Sequence, residues 1–105
     1  MIRFLISGLA VALVGSPALA ELSPAAQRGV VIARAYCARC HSIDKLSPSP
    51  LAIAPAFRTL HERYPLTNLE EPLAEGIVTG HPAMPEFRFE PDQIHDFIEF
   101  LKTLQ

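Results

Sequence analysis

The sequence predicts a small all-α domain built from about three main helices. In two segments of the chain, apolar residues recur at intervals of three and four residues, which is the spacing of one face of a helix. Two proline-containing start signals mark helix boundaries. No segment after residue 20 alternates apolar and polar residues as a half-buried strand would. With 105 residues, the chain has the length of a single domain.

The first helix is expected to begin at Ser23-Pro24 and to continue from Ala25 to Cys40. Serine is a favoured N-cap, and proline suits the first helical position because an N–H there would lack an intrahelical partner. Gly29 lies inside this helix and costs about 1 kcal/mol relative to alanine. Either this glycine is tolerated variation, or another element packs closely against it. The partner we expect is Phe97 of the last helix.

The middle of the chain is expected to be irregular, with short helical turns. Ser47-Pro48-Ser49-Pro50 forms a loop. Ala54 is extended or turning, because a residue that precedes proline is disfavoured in helical conformation. The segment from Phe57 to Arg63 has the length of one or two helical turns, which end before Pro65.

A second amphipathic helix is predicted by apolar residues at helical spacing, namely Leu66, Leu69, Leu73 and Ile77. We place its regular part at about Glu70 to Val78, with Gly80 closing it. The alternative is that this helix starts earlier, because Thr67-x-x-Glu70 has the pattern of a capping box. That start would place Pro72 inside the helix, where proline is disfavoured.

The C-terminal part is expected to be a stiff loop followed by a last helix. The loop runs from His81 to Phe87, where Pro82 and Pro85 flank Met84 and prevent a regular helix. Pro91 opens the helix, whose apolar stripe consists of Ile94, Phe97, Ile98, Leu101 and Leu104. Its polar side is expected to carry Asp92, Asp96, Glu99 and Lys102.

The first 20 residues have the pattern of a secretory signal peptide. A short basic start, Met1-Ile2-Arg3, precedes an apolar run from Phe4 to Val14, and Ala18-Leu19-Ala20 provides an exit site. We therefore expect a signal peptide at 1–20, a single domain at 21–105 and a periplasmic location. The alternative is an uncleaved membrane anchor, although the apolar run is shorter than the roughly 20 residues of a spanning helix.

The composition limits the function classes that remain. A domain of this size buries a modest core and usually needs a disulfide, a metal or a cofactor for stability. The chain has only two cysteines, so it has no disulfide framework. It is mildly acidic and has no basic run, which makes nucleic acid an unfavoured partner.

Cys37-Ala-Arg-Cys40-His41 is the most specific motif in the chain. Two cysteines three residues apart with an adjacent histidine are the attachment pattern of c-type haem. The two thiols can add to the vinyl groups of haem as thioethers, and the imidazole can ligate the iron. Near a helix end, residues at these spacings share one face, so all three can reach one flat group.

Three other interpretations of the cysteine pair are open. A structural zinc site would need two further ligands at short spacing, but His61, His81 and His95 are scattered singly. A thioredoxin-like redox motif would need a surrounding βαβ pattern, which the sequence does not show. A bare disulfide is the third alternative. The motif together with an exporting leader favours covalent haem.

After residue 20, essentially the whole chain resembles the bacterial class I c-type cytochromes. In that family an N-terminal helix runs into Cys-x-x-Cys-His, a Met-Pro loop follows, and a C-terminal helix crosses the first. This chain has the same order, with Gly29-x-x-x-Ala33-x-x-x-Cys37, then Met84-Pro85, then the Phe97 stripe. The resemblance implies a small cytochrome c-like fold wrapped around one covalent haem c.

The resemblance also implies the roles of individual residues. Cys37 and Cys40 would attach the haem, and His41 and Met84 would be the axial iron ligands. His81 is a rival for the second axial position. Ala54-Pro55 resembles the loop whose proline carbonyl accepts a hydrogen bond from the proximal histidine. Two further polar residues, Arg58 and Tyr64, could reach the haem propionates but are interpreted as surface groups.

The expected function is single-electron transfer by a carrier that is not an enzyme, because filled axial positions leave no place for a substrate on the iron. We expect a soluble periplasmic shuttle that is a monomer and whose partners are redox proteins: a reductase, an oxidase or a dehydrogenase. No stable membrane insertion is expected after cleavage. One alternative is an electron-entry subunit of a larger periplasmic complex. The other is a haem sensor or peroxidase with a labile distal methionine.

Overall fold

The structure is a computed structural model that describes residue 5 and residues 7–12, 22–77 and 83–105. Over these residues the chain forms four α-helices and no strand, which confirms the all-α prediction. The helices are α1 (Pro24–Tyr36), α2 (Leu60–Arg63), α3 (Glu70–Glu75) and α4 (Pro91–Lys102), and short 3-10 turns at Phe57–Thr59 and Leu66–Leu69 precede α2 and α3.

Some predictions fall outside the described residues. They include both ends of the leader, the helix-closing role of Gly80 and the rival ligand His81. Within the described part of the chain, no helix has the length and apolar character needed to cross a membrane.

Helix α1 begins where the sequence predicts and ends earlier. The Ser23 hydroxyl oxygen accepts a hydrogen bond from the Ala26 N–H at 3.1 Å, and proline occupies the first turn. The helix ends at Tyr36 rather than Cys40 because the hydrogen-bond ladder widens there. The N–H groups of Cys37 and Ala38 both donate to the Ala33 carbonyl, each at 2.9 Å. The attachment motif therefore lies in turns that continue from the helix.

Helix α4 begins at Pro91 as predicted. A capping box fixes this end, in which the Glu90 N–H donates to the Gln93 side-chain oxygen at 3.0 Å. The five residues of the predicted stripe are all buried, and Phe100 is buried with them. The expected polar side was wrong at one position, because Asp96 is also buried.

Helices α1 and α4 form the largest contact between elements among the described residues. Gly29 is buried at their crossing, where an added Cβ would overlap the Asp96 carbonyl oxygen and lie 2.6 Å from the Phe100 Cβ. The close approach predicted at Gly29 is therefore present, but the expected partner Phe97 was wrong. The residues that approach Gly29 are instead Asp96 and Phe100. Phe97 instead meets the rings of Phe57 and Phe89.

An ion pair explains why Asp96 can be buried at this crossing. Arg28 of α1 donates from Nε to Asp96 Oδ2 at 2.9 Å and from Nη2 to Oδ1 at 3.1 Å. This two-point geometry satisfies both carboxylate oxygens, which offsets the cost of removing the carboxylate from water. The hydrogen bonds from Arg28, together with its charge, hold the pKa of Asp96 below its ordinary value.

Helix α3 starts at Glu70 as predicted and ends at Glu75 rather than Val78. The reason is Gly76, which follows with φ of +109°, a conformation that side chains other than glycine rarely adopt. The 3-10 turn at Leu66–Leu69 explains the early apolar residues without a capping box. It leaves Pro72 in the first turn of α3, where a missing N–H costs little.

We expect Gly29→Ala to destabilise the protein by about 2 kcal/mol. The atoms that an added Cβ would meet include backbone, which cannot move aside, so the cost lies towards the upper end of the ~1–3 kcal/mol typical of overpacking. The better helix propensity of alanine returns about 1 kcal/mol. Urea unfolding measures the difference. Val31→Ala, at an exposed position of the same helix, is the control and should change stability by less than about 0.5 kcal/mol. An unchanged midpoint for Gly29→Ala would contradict the close crossing.

We expect the stability lost in Asp96→Asn to depend on pH. Since the folded-state pKa of Asp96 is lowered by Arg28, its carboxylate stabilises the fold above the ordinary pKa of about 4. That contribution disappears as the pH falls below this value and through the lower folded-state pKa. The difference in free energy of unfolding between wild type and variant should therefore be constant from pH 5 to 8 and shrink in acid. In an Arg28→Met background the burial of Asp96, which raises its pKa, is no longer opposed by Arg28, so the difference should no longer shrink in acid. A difference that still shrinks in acid there would refute the ion-pair explanation.

Candidate functional site

The two cysteines are brought together by one tight turn at the end of α1. The N–H groups of Cys40 and His41 donate to the Cys37 carbonyl at 3.1 and 3.0 Å. Both cysteines are free thiols, partly buried, and both line the same cavity. This turn therefore presents two thiols and one imidazole to a single space, as the motif predicts.

The imidazole of His41 is held in one orientation. Its Nδ1 lies 2.8 Å from the Pro55 carbonyl oxygen, which can only accept, so Nδ1 carries the proton and donates. The lone pair is then on Nε2, the atom suited to bind a metal. The predicted hydrogen bond to Pro55 is thus present. The ring also packs against Phe57, with centroids 4.9 Å apart.

The loop that carries Pro55 is hydrogen-bonded to the attachment turn, which consists of residues 37–41, and to the residue after it. The Leu51 N–H donates to the Cys40 carbonyl at 3.1 Å, and the Phe57 N–H donates to the Ser42 carbonyl at 3.0 Å. These two bonds lie on either side of Pro55 in sequence. They hold the Pro55 carbonyl in reach of the imidazole, so the orientation of His41 depends on backbone contacts as well as on its own position.

A cavity of about 250 Å³ joins the predicted site residues. Cys37, Cys40, His41 and Met84 all line it. The rest of its described lining is almost wholly apolar and comes from every part of the fold: Tyr36, Leu51, Ile53, Ala54, Pro55, Phe57, Leu60, Tyr64, Leu69, Leu73, Ile77, Ala83, Pro85, Phe87 and Phe97. No Asp, Glu, Lys or Arg belongs to this described lining, so the cavity suits a largely apolar group.

Met84 reaches the cavity from a loop whose ends are tied together. The Ile77 N–H donates to the Phe87 carbonyl at 3.0 Å, and the Phe89 N–H donates to the Leu73 carbonyl at 2.8 Å. Met84 is half-buried, and the next residue, Pro85, also lines the cavity. The sequence-predicted ligand therefore borders the same space as His41.

The structure does not favour a redox-active dithiol or a metal site at the cysteine pair. Burial raises the pKa of the Cys37 thiol to about 12, so this thiol is protonated at neutral pH. A redox-active dithiol depends on a lowered pKa, which is the opposite condition. Within the described residues, no group of three or more His, Cys, Asp or Glu side chains could hold a metal ion.

Two polar residues interpreted from sequence as surface groups have different places. Arg58 is not part of the cavity lining, and its Nη1 donates to the Ser42 hydroxyl at 3.1 Å and to the Ser47 carbonyl at 2.8 Å. Tyr64 does line the cavity, and burial raises its pKa. Its interpretation as a surface group was therefore wrong. The available signal was the position of Tyr64 four residues after Leu60, on the same side of a helical turn.

The donor set fits a covalently attached haem. Two free thiols three residues apart suit the two vinyl groups. The oriented Nε2 of His41 and the thioether of Met84 suit the two axial positions of the iron. The apolar lining suits the macrocycle. These residues would hold the group without any further metal-binding side chain.

Comparison with known proteins agrees with this chemistry. The family model for cytochrome c matches residues 26–105, a range that includes nearly all of α1, the attachment motif, the Met84 loop and α4. No significant match was found among curated proteins or solved structures. The chain therefore belongs to the cytochrome c family, whose members bind haem c and transfer electrons.

Proposed function

We propose that the protein is a single-electron carrier with one haem c, attached through Cys37 and Cys40 and ligated axially by His41 and Met84. The observation that supports this is that all four side chains border one cavity whose described lining is otherwise almost wholly apolar. When bound, the haem supplies an iron that gains and loses one electron.

Each proposed ligand has a surrounding that suits electron transfer. The hydrogen bond from His41 Nδ1 to the Pro55 carbonyl increases the donor strength of Nε2. The thioether of Met84 is a soft ligand that favours the reduced state and raises the reduction potential. If His41 and Met84 both ligate the iron, no position on it would be left open for oxygen or peroxide. A carrier is therefore favoured over a sensor or a peroxidase.

The proposed partners are redox proteins that contact the cavity mouth. Three large lining residues are exposed, with accessible fractions of 66% for Ile53, 49% for Tyr36 and 36% for Leu51. An exposed apolar rim next to a redox group suits a small, short-lived contact, which is typical of electron-transfer complexes. We propose a soluble shuttle in the periplasm, reached through the signal peptide predicted at 1–20, with an electron-entry subunit of a larger complex as the alternative.

We expect Met84→Leu to remove one axial ligand and leave haem attached. The ferric wild-type protein should show the weak far-red absorption of sulfur-ligated iron, and its ferrous form should not bind carbon monoxide readily. Met84→Leu should lose this absorption and bind carbon monoxide. Its reduction potential should fall by on the order of 0.1 V, within the ~0.8 V that axial ligands span.

His81→Ala is the matched control, because it removes the rival ligand three residues away. It should leave the absorption and the reduction potential unchanged. If His81→Ala abolished six-coordination and Met84→Leu did not, the distal ligand would be wrong. Rapid stoichiometric carbon monoxide binding by the wild-type protein at neutral pH would favour the sensor or peroxidase alternative instead.

We expect the native protein to be recovered in the periplasmic fraction and to elute from size-exclusion at the mass of a monomer. This follows if the contact at the cavity mouth is transient. Haem absorbance identifies the fractions, and elution at low and high salt separates weak electrostatic association from stable assembly. Co-elution with a large enzyme at high salt would contradict the shuttle and support the subunit alternative.

A further inference from the structure

The loop that presents Met84 is fastened at its base to the C-terminal end of α3. The Leu73 carbonyl of α3 accepts the Phe89 N–H at 2.8 Å, and the Glu75 carbonyl accepts Arg88 Nη2 at 3.0 Å. The Ile77 N–H donates to the Phe87 carbonyl at 3.0 Å. Carbonyls at a helix C-terminus lack intrahelical partners. In this protein, residues 86–89, which form the return arm of the Met84 loop, satisfy two of them.

Gly76 makes this fastening sterically feasible. Its φ of +109° turns the chain out of α3, so that the next residue, Ile77, can pair with Phe87. The Glu86 carboxylate lies in the space that a Cβ at Gly76 would occupy. The backbone conformation favours glycine at position 76, whereas the Glu86 carboxylate ends an exposed, flexible side chain and can move aside.

Aromatic packing also anchors the return arm. Phe87 and Phe89 are stacked with centroids 6.2 Å apart, and Tyr36 of α1 meets them edge-on at 5.7 and 5.4 Å. Met84 is three residues before Phe87. Its position therefore depends on an arm that is held by α3 through hydrogen bonds and by α1 through ring contacts.

We propose that Gly76 and Arg88 are positioning residues for the Met84 ligand. They hold the base of the loop together, and so would hold the Met84 thioether where it could ligate a bound haem iron. This inference rests on the proposed ligation by Met84. Opening of the base would let the thioether leave, and an external ligand could then take the vacated position. The guanidinium of Arg88 also places positive charge at the C-terminal carbonyls of α3, where it is favourable.

The test is the binding of imidazole to the ferric holoprotein, which requires Met84 to leave. Wild type is compared with Arg88→Met, which keeps the length of the side chain and removes its donors, and with Gly76→Ala. Loss of one charge-assisted hydrogen bond should raise the imidazole association constant by ~5–10-fold. Arg34→Met, an exposed arginine on α1, is the control for loss of charge and should stay within twofold of wild type.

The far-red absorption of sulfur-ligated iron is recorded for every variant before imidazole is added. Retention of this absorption in Arg88→Met, with a threefold or larger gain in imidazole affinity, supports the inference even if Gly76→Ala does not fold. A smaller gain, or an equal gain in Arg34→Met, overturns it. If the wild-type protein lacks the absorption, the proposed Met84 ligation fails. If wild type shows the absorption and Arg88→Met has unchanged affinity, only the positioning role fails.

Discussion

The close crossing of α1 and α4 is the constraint on which the rest of the structure depends. Gly29 permits it because any larger residue would meet the backbone of Asp96. Helix α1 leads from the crossing to Tyr36, and the turn that carries Cys37 and His41 follows it. It also places Phe97 of α4 in the wall of the cavity. The two helices that meet at this contact therefore supply both the start of the attachment turn and part of the cavity wall.

The cavity wall beside His41 is continuous with this helical core. The ring of Phe57 packs against the imidazole, with ring centroids 4.9 Å apart. It also meets the ring of Phe97 edge-on, with centroids 5.8 Å apart. The imidazole is thus held by packing against the core on one side and by the Pro55 carbonyl through a hydrogen bond. The contact with Phe57 and the hydrogen bond to Pro55 act on the same imidazole. A small fold can therefore hold the His41 ring in one orientation.

The parts of the fold that follow from local rules could be predicted from the sequence. The start of α1 depends on Ser23 and Pro24, and the buried stripe of α4 depends on helical spacing. Both act within a few residues of chain. The motif at Cys37 likewise carries its chemistry locally, so the attachment turn could be recognised from the residue types and their spacing alone.

The remaining features depend on contacts between distant segments. Asp96 has a polar side chain on a polar-looking face, and only the approach of Arg28, 68 residues away in sequence, makes it a buried group. The end of α3 was misplaced because Gly76 and Gly80 are both plausible stops. Pairing of Ile77 with Phe87 across the Met84 loop accompanies the earlier stop at Gly76.

The two proposed axial ligands are therefore held by unequal means. His41 lies in the turn that follows α1, packs against the buried ring of Phe57 and donates to the loop that carries Pro55. Met84 lies on a longer loop that is secured at its base by Gly76 and Arg88 and by ring contacts of its return arm. Local opening takes place where fewer buried contacts must break. With the proposed ligation, exchange of a ligand should accordingly begin on the Met84 side, while the proposed links to Cys37 and Cys40 and the bond to His41 would keep the haem in place.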